Sequence, residues 1–246
     1  MKLLSIGNSF SQDAQMWLHD VCKSAGKDIY NVNLYYGGCS LYGHWNFYVN
    51  NQAEYDYEVM AEPVRKITLT EALAAEKWDV ITIQQASHDS GKYESYQPFL
   101  NDIIDVVKKA CPDAKILMHK TWAYEIDSTH SCFVHYNNDQ QYMHKCLSEA
   151  YQKGADDINA EIIPSGDVIQ YMRDNVAEFD YKNGGLSLNR DGFHLSLGYG
   201  RYAAALTWYC KLFDGNANDV SFAPDICDDE NLVNVVKNSV NKIMAK

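Results

Sequence analysis

Short apolar runs alternate along the chain with stretches that repeat at helical spacing. Residues 3–6 are apolar but for Ser5, and the run breaks at Gly7-Asn8. Helical spacing of Met16, Trp17, Val21 and Cys22 predicts a helix capped by Ser11, running to about Ala25 and ended by Gly26. Residues 29–36 alternate partially and predict a second strand, which stops at Gly37-Gly38. Residues 69–77 predict a helix with Leu69, Ala72 and Leu73 on one face. Residues 78–83, short and β-branched, predict a central strand. A helix over 96–111 ends at Pro112, and residues 115–119 predict a fourth strand. A helix over 140–153 ended by Gly154, a strand over 161–164 and a helix from Ser165 or Asp167 to about Val176 follow. Further helices are predicted over 199–212, apolar and rich in alanine and aromatics, and from Asp229 to about Met244, amphipathic.

Strands thus alternate with helices five times, through connections too long for hairpins. That pattern implies an α/β fold, a five-stranded parallel sheet with helices on both faces. Residues 1–246 read as a single domain, with 1–212 as core and 213–246 as a C-terminal extension carrying a helix.

Composition narrows the function classes. The net charge of −12 and the lack of any basic run argue against a nucleic-acid partner. No apolar stretch approaches the ~20 residues needed to span a bilayer, so no membrane role is expected. Only four residues separate Lys2 from Gly7, and they are needed as the first strand, so no secretory leader is visible. A cytoplasmic location is expected, although a leader already removed would leave the same sequence. Seven cysteines, an odd number without Cys-x-x-Cys, read as free thiols in a reducing compartment. His130, His135 and His144 with Cys132 and Cys146 match no zinc spacing, so no metal is expected. Neither phosphate-binding glycine motif occurs, so no nucleotide or other cofactor is expected.

The candidate chemistry lies at the two ends of the α/β pattern. A strand, a sharp turn and a helix would lift Ser9 above the end of the sheet, with the first N–H groups of the helix behind it. Far downstream, Asp191-Gly192-Phe193-His194 places a carboxylate where it can reach an imidazole. Taken singly, Ser9 reads as a turn serine and Asp191 as a helix cap. His88 beside Asp89 is a weaker candidate base.

Together these stretches resemble a known family. Gly7-Asn8-Ser9-Phe10-Ser11 is similar to the first block of the SGNH (GDSL-like) hydrolases, with Gly-Asn-Ser for Gly-Asp-Ser, and Asp191-Gly192-Phe193-His194 to their last block. The chain most resembles an uncharacterised branch, common in gut bacteria, with Gly-Asn-Ser-Phe at the start and Gly-Gly-Cys-Ser-Leu soon after. The resemblance spans roughly residues 1–212 and implies a flavodoxin-like, three-layer α/β/α fold. It implies a serine esterase in which Ser9 is the nucleophile, His194 the base and Asp191 its orienting carboxylate. The oxyanion hole would comprise the N–H of Ser9, that of Gly38 (or its neighbour Gly37) and an amide from Gln84 or Gln85. The family's Gly-x-Asn-Asp is absent after the central strand, which leaves open which glutamine serves.

Residues 35–57 are crowded with aromatics, and His44 and Trp45 lie among them; Trp122 and Tyr124 open a polar loop to about Asn138. Such side chains wall a sugar groove or anchor loops equally well. His44, Trp45, Trp122 and Tyr124 are the candidate substrate contacts. The expected partner is a small-molecule or carbohydrate ester, deacetylated by a carbohydrate O-acetylesterase. An acyltransferase with the same triad, or a non-catalytic binding protein on a decayed hydrolase fold, are the alternatives.

Overall fold

The computed structural model describes residues 1–245. Its centre is a sheet of order β4-β3-β2-β1-β5-β6-β7. The strands are β1 (Lys2–Gly7), β2 (Tyr30–Tyr35), β3 (Tyr55–Val59), β4 (Glu62–Ile67), β5 (Val80–Ile83), β6 (Lys115–His119) and β7 (Glu161–Ile163). β2, β1, β5, β6 and β7 run parallel, and these are the five strands the sequence predicts. β3 and β4 add an antiparallel hairpin at the β2 edge, so the sheet has seven strands rather than five.

The hairpin escapes the usual turn signal. Its turn residues, Met60 and Ala61, have φ of 49° and 69°, a region normally filled by Asn and Gly. On the exposed edge, β4 carries Pro63, Arg65 and Lys66, side chains that discourage pairing with another strand.

Helices cover both faces. On one side lie α1 (Ser9–Gln15), α2 (Leu18–Ser24), α7 (Ser165–Asn175), α8 (Tyr199–Phe213) and α9 (Glu230–Met244), which pack on one another through α8. On the other lie α3 (Leu41–Val49), α4 (Leu69–Ala74), α5 (Phe99–Ala110) and α6 (Gln140–Ile158). The helix expected from Ser11 to Ala25 is two helices, broken at Met16-Trp17. Asn8, not Ser11, caps the first: Asn8 Oδ1 accepts from the Phe10 N–H at 2.9 Å, and Ser11 Oγ reciprocates by accepting from the Asn8 N–H at 3.0 Å. Gly154 does not end α6. A Cβ there would lie 3.0 Å from Tyr96 and 3.1 Å from Met118, so the glycine lets α6 pack closely and the helix runs on to Ile158.

Buried α9 side chains Val233, Val236 and Val240 face α7 and α8. β1 leads to β2 on one side, and the chain then returns to place β5 on the other. The crevice at this reversal of strand order lies beyond the carboxyl ends of β1 and β5, where ligands of open parallel sheets gather. Ser9 follows one of those ends and Gln84 the other.

Candidate active site

β1 ends at Gly7, and the chain turns at once into α1 with Ser9 as its first residue. Only glycine fits at position 7, because a Cβ would sit 2.0 Å from Ser11 Oγ. The Ser9 side chain is half-buried and reaches His194, whose Nε2 lies 2.8 Å from Ser9 Oγ. His194 Nδ1 lies 2.7 Å from Asp191 Oδ2. A carboxylate only accepts, so Nδ1 carries the proton and Nε2 is left to accept from the serine hydroxyl.

The second Asp191 oxygen accepts from the N–H groups of His194, at 2.8 Å, and Phe193, at 3.2 Å. Burial alone pushes the Asp191 carboxyl up; the His194 ring and these two N–H groups outweigh it, holding it below the ordinary carboxylate range.

The loop that delivers His194 is closed on itself. The Arg190 N–H donates to His194 O at 3.0 Å and the Ser196 N–H to Leu188 O at 2.7 Å. The segment after β6 holds it from one side: the Glu125 N–H donates to Gly192 O at 2.7 Å, and Trp122 Nε1 donates to Phe193 O at 2.8 Å. Trp122 also stacks on Phe10 with centroids 4.5 Å apart, so one indole braces the neighbours of both Ser9 and His194.

That geometry revises the expected substrate contacts. Trp122 and Tyr124 are fully buried; the Tyr124 ring packs against His130 and Phe193, and its hydroxyl lies 3.0 Å from Ser87 Oγ. Both anchor loops rather than wall a groove. His44 is also fully buried, with Nδ1 2.8 Å from the Tyr55 hydroxyl, and burial pushes its pKa down to about 3. It belongs to the buried face of α3, not to a rim. Trp45 is half-buried with its ring tilted against Tyr48. The exposed aromatics of this region are instead Tyr36 and Tyr42, 39% and 59% exposed, on either side of Gly37-Gly38 and Cys39.

Gly38 sits at φ 65° in a tight turn where the Cys39 N–H donates to Tyr36 O. Asn8 Nδ2 donates to Cys39 O at 3.0 Å, which ties this turn to the residue preceding Ser9. Neither the Ser9 nor the Gly38 N–H donates to a protein group among the described residues. Cys39 is no rival nucleophile, because burial pushes its thiol up to about 12.

The two glutamines part company. Gln85 Oε1 accepts from the Leu41 and Ala86 N–H groups, and its amide nitrogen donates to Ser95 O and Oγ, so the whole carboxamide is used in loop structure. Gln84 Nε2 donates to Asn8 Oδ1 at 2.8 Å, and its Oε1 lies 2.6 Å from His119 Nδ1. Asn8 Oδ1 already accepts from Phe10, which fixes the carboxamide with nitrogen toward Asn8 and leaves one amide hydrogen. Fully buried His119, pushed down to about 3 by burial, is neutral; its Nε2 lies 3.1 Å from Ser165 Oγ. Sequence reading missed His119, which sits at the end of a strand without any motif.

His88 lies 3.4 Å from Asp89 and makes no hydrogen bond to Ser9. His135 meets Lys92 and His144 meets Asp167, and among the described residues no three His, Cys, Asp or Glu side chains group to hold a metal ion. All seven cysteines are free. No helix of the described residues is long and apolar enough to cross a membrane.

The central sheet flanked by helices on both faces has the SGNH (GDSL-like) hydrolase fold. Two of the solved structures that share it illustrate the likeness. One is a protein from Slackia heliotrinireducens placed provisionally in that group, with a TM-score of 0.59, 21% identity, and 86% of this chain and 98% of that chain covered. The other is the lipase/acylhydrolase from Enterococcus faecalis, with a TM-score of 0.55, 13% identity, and coverage of 86% and 94%.

Within that fold the chain belongs to the DUF4886 family, a domain of unknown function whose profile matches residues 2–242. A DUF4886 family protein from Bacteroides uniformis is 34% identical, with a TM-score of 0.92 over 100% of this chain and 95% of that one. No functionally curated protein matches the sequence.

Proposed function

We propose that the protein is a serine esterase. The observation that carries this reading is the continuous relay from Asp191 through His194 to Ser9, at 2.7 Å and 2.8 Å. Ser9 Oγ attacks the ester carbonyl while His194 Nε2 takes its proton. The oxyanion is met by the Ser9 N–H, the Gly38 N–H and the remaining amide hydrogen of Gln84; each such donor contributes on the order of 100-fold in rate. The intermediate collapses, His194 returns the proton to the leaving alcohol, and the acyl group stays on Ser9. Water then attacks with His194 again as base, releasing the carboxylic acid and free Ser9. Asp191 keeps Nδ1 protonated and stabilises the imidazolium.

Gln84 is favoured over Gln85 because only Gln84 has an amide hydrogen without a protein acceptor. The leaving alcohol is a sugar hydroxyl and the acyl group is acetyl. This finer reading is supported by the family resemblance and by exposed Tyr36 and Tyr42 flanking the Gly38 turn, since flat aromatic faces suit sugar rings.

A fluorophosphonate probe tests the core of the proposal. The expected result is labelling at Ser9 that disappears in His194→Ala, with release of p-nitrophenol from p-nitrophenyl acetate. An unlabelled Ser9 and no ester turnover would replace the esterase with a binding protein. Acetate release from acetylated oligosaccharides, exceeding turnover of long-chain esters, tests the substrate class.

A further inference from the structure

Asp13 is a carboxylate with no exposed surface, one helical turn after Ser9 on α1. Five hydrogen-bond or ion-pair contacts converge on it. Arg190 Nη1 reaches both oxygens at 3.0 Å and 3.1 Å. Arg201 donates through Nε at 2.8 Å and approaches through Nη2 at 2.7 Å. The fifth is the Leu195 N–H, at 2.8 Å. Arg190 and Leu195 are the two ends of the loop that presents His194, and Arg190 also donates to Leu195 O.

We propose that Asp13 is a positioning residue for the Ser9–His194 pair, an inference that rests on the esterase reading. Burying a carboxylate between two guanidinium groups contributes little net stability, because desolvation offsets most of the attraction. What it does supply is direction. The loop is held at both ends by a group on the same short helix that begins with the nucleophile. The separation of Ser9 Oγ from His194 Nε2 is therefore set within one rigid unit, rather than across the long chain between them. Removing the charge leaves two guanidinium groups facing each other and frees the Leu195 N–H. The loop then shifts on the other support it has, the Trp122 and Glu125 contacts, and the imidazole leaves the serine.

The test compares Asp13→Asn with Val236→Ala, a substitution of a buried side chain on α9, which packs on α7 and α8, expected to lower thermal stability. Both are measured well below their melting temperatures for kcat and KM on p-nitrophenyl acetate and for the rate of fluorophosphonate labelling. Asp13→Asn is expected to lose about 100-fold in kcat and in labelling rate, the scale of a misplacement near 1 Å, with KM within about threefold of the parent. Val236→Ala is expected to keep parental kcat. Equal kcat in the two variants would overturn the proposal. Should Asp13→Asn not fold, Arg190→Gln removes one arm of the clamp and is expected to lose about tenfold in kcat; parental kcat there would overturn it equally. A parent protein that neither labels nor turns over ester would remove the esterase reading itself, an outcome distinct from a working parent with an unaffected Asp13→Asn.

Discussion

Replacing Asp191 with asparagine isolates what the carboxylate does for the imidazole. Asp191 Oδ1 is pinned by two backbone N–H groups, those of Phe193 and His194. An asparagine keeps its carbonyl oxygen there, because turning the NH2 toward two donors would lose both bonds. Its nitrogen must then occupy the place of Oδ2, 2.7 Å from His194 Nδ1. Two donors cannot face each other at that distance, so Nδ1 becomes the acceptor and the proton moves to Nε2. An imidazole protonated at Nε2 cannot accept from Ser9. In a buried triad such an exchange costs about 10,000-fold in kcat. The Asp191 side chain here is 40% exposed, and water competes for both partners, which weakens the orienting effect. The expected loss is therefore about 1,000-fold, or about 4 kcal/mol in activation free energy. Stability should change little, since the backbone bonds survive. Steady-state kinetics on p-nitrophenyl acetate give kcat, and 15N spectra of the histidine ring give the tautomer. A variant within tenfold of the parent, with Nδ1 still protonated, would refute the reasoning.

Other perturbations have equally definite outcomes. Gly7→Ala drives a Cβ to 2.0 Å from Ser11 Oγ and 2.8 Å from Ser11 Cβ, and is expected to cost about 1–3 kcal/mol in denaturant unfolding. A second change, Ser11→Gly, should recover part of that loss, whereas Ser11→Ala should recover less. Trp122→Phe retains an aromatic against Phe10 but leaves Phe193 O without its indole donor; it should lower stability by about 1–3 kcal/mol and kcat by about tenfold, read from melting curves and kinetics. His44 and His119 are held neutral by burial, with values near 3 against an ordinary 6.5. The unfolded chain takes up protons on both below about pH 6.5, so stability is full above that value and falls as pH drops toward 3. At pH 5 each should remove on the order of 2 kcal/mol, and an unfolding midpoint unchanged between pH 7 and 5 would contradict this.

The parallel strands were legible because each is a compact apolar run bounded by turn residues. Ser9, Asp191 and His194, which the fold brings within hydrogen-bonding distance, each sit in a short local pattern, and the roles proposed for them await the probe experiment. Residues that act through tertiary contact were not. Met60 and Ala61 form a hairpin turn without the usual residues, so β3 and β4 carry no signal at their junction. Gly154 looks like a helix stop, yet its lack of a side chain serves the packing of Tyr96 and Met118. Trp122 and Tyr124 follow β6 in the place of a groove wall, and only the folded chain turns them inward. Asp13 had one faint mark, its place one turn beyond Ser9; the arginines that meet it lie far downstream in sequence.

Ser9 and His194 lie 185 positions apart, and the segment just before the histidine loop, residues 181–184, is exposed. A cut there would put the hydroxyl on one polypeptide and the imidazole with its carboxylate on another. On the esterase reading, neither piece could open an ester alone. Restored turnover would then register their reassembly, making the pair the basis of a split reporter.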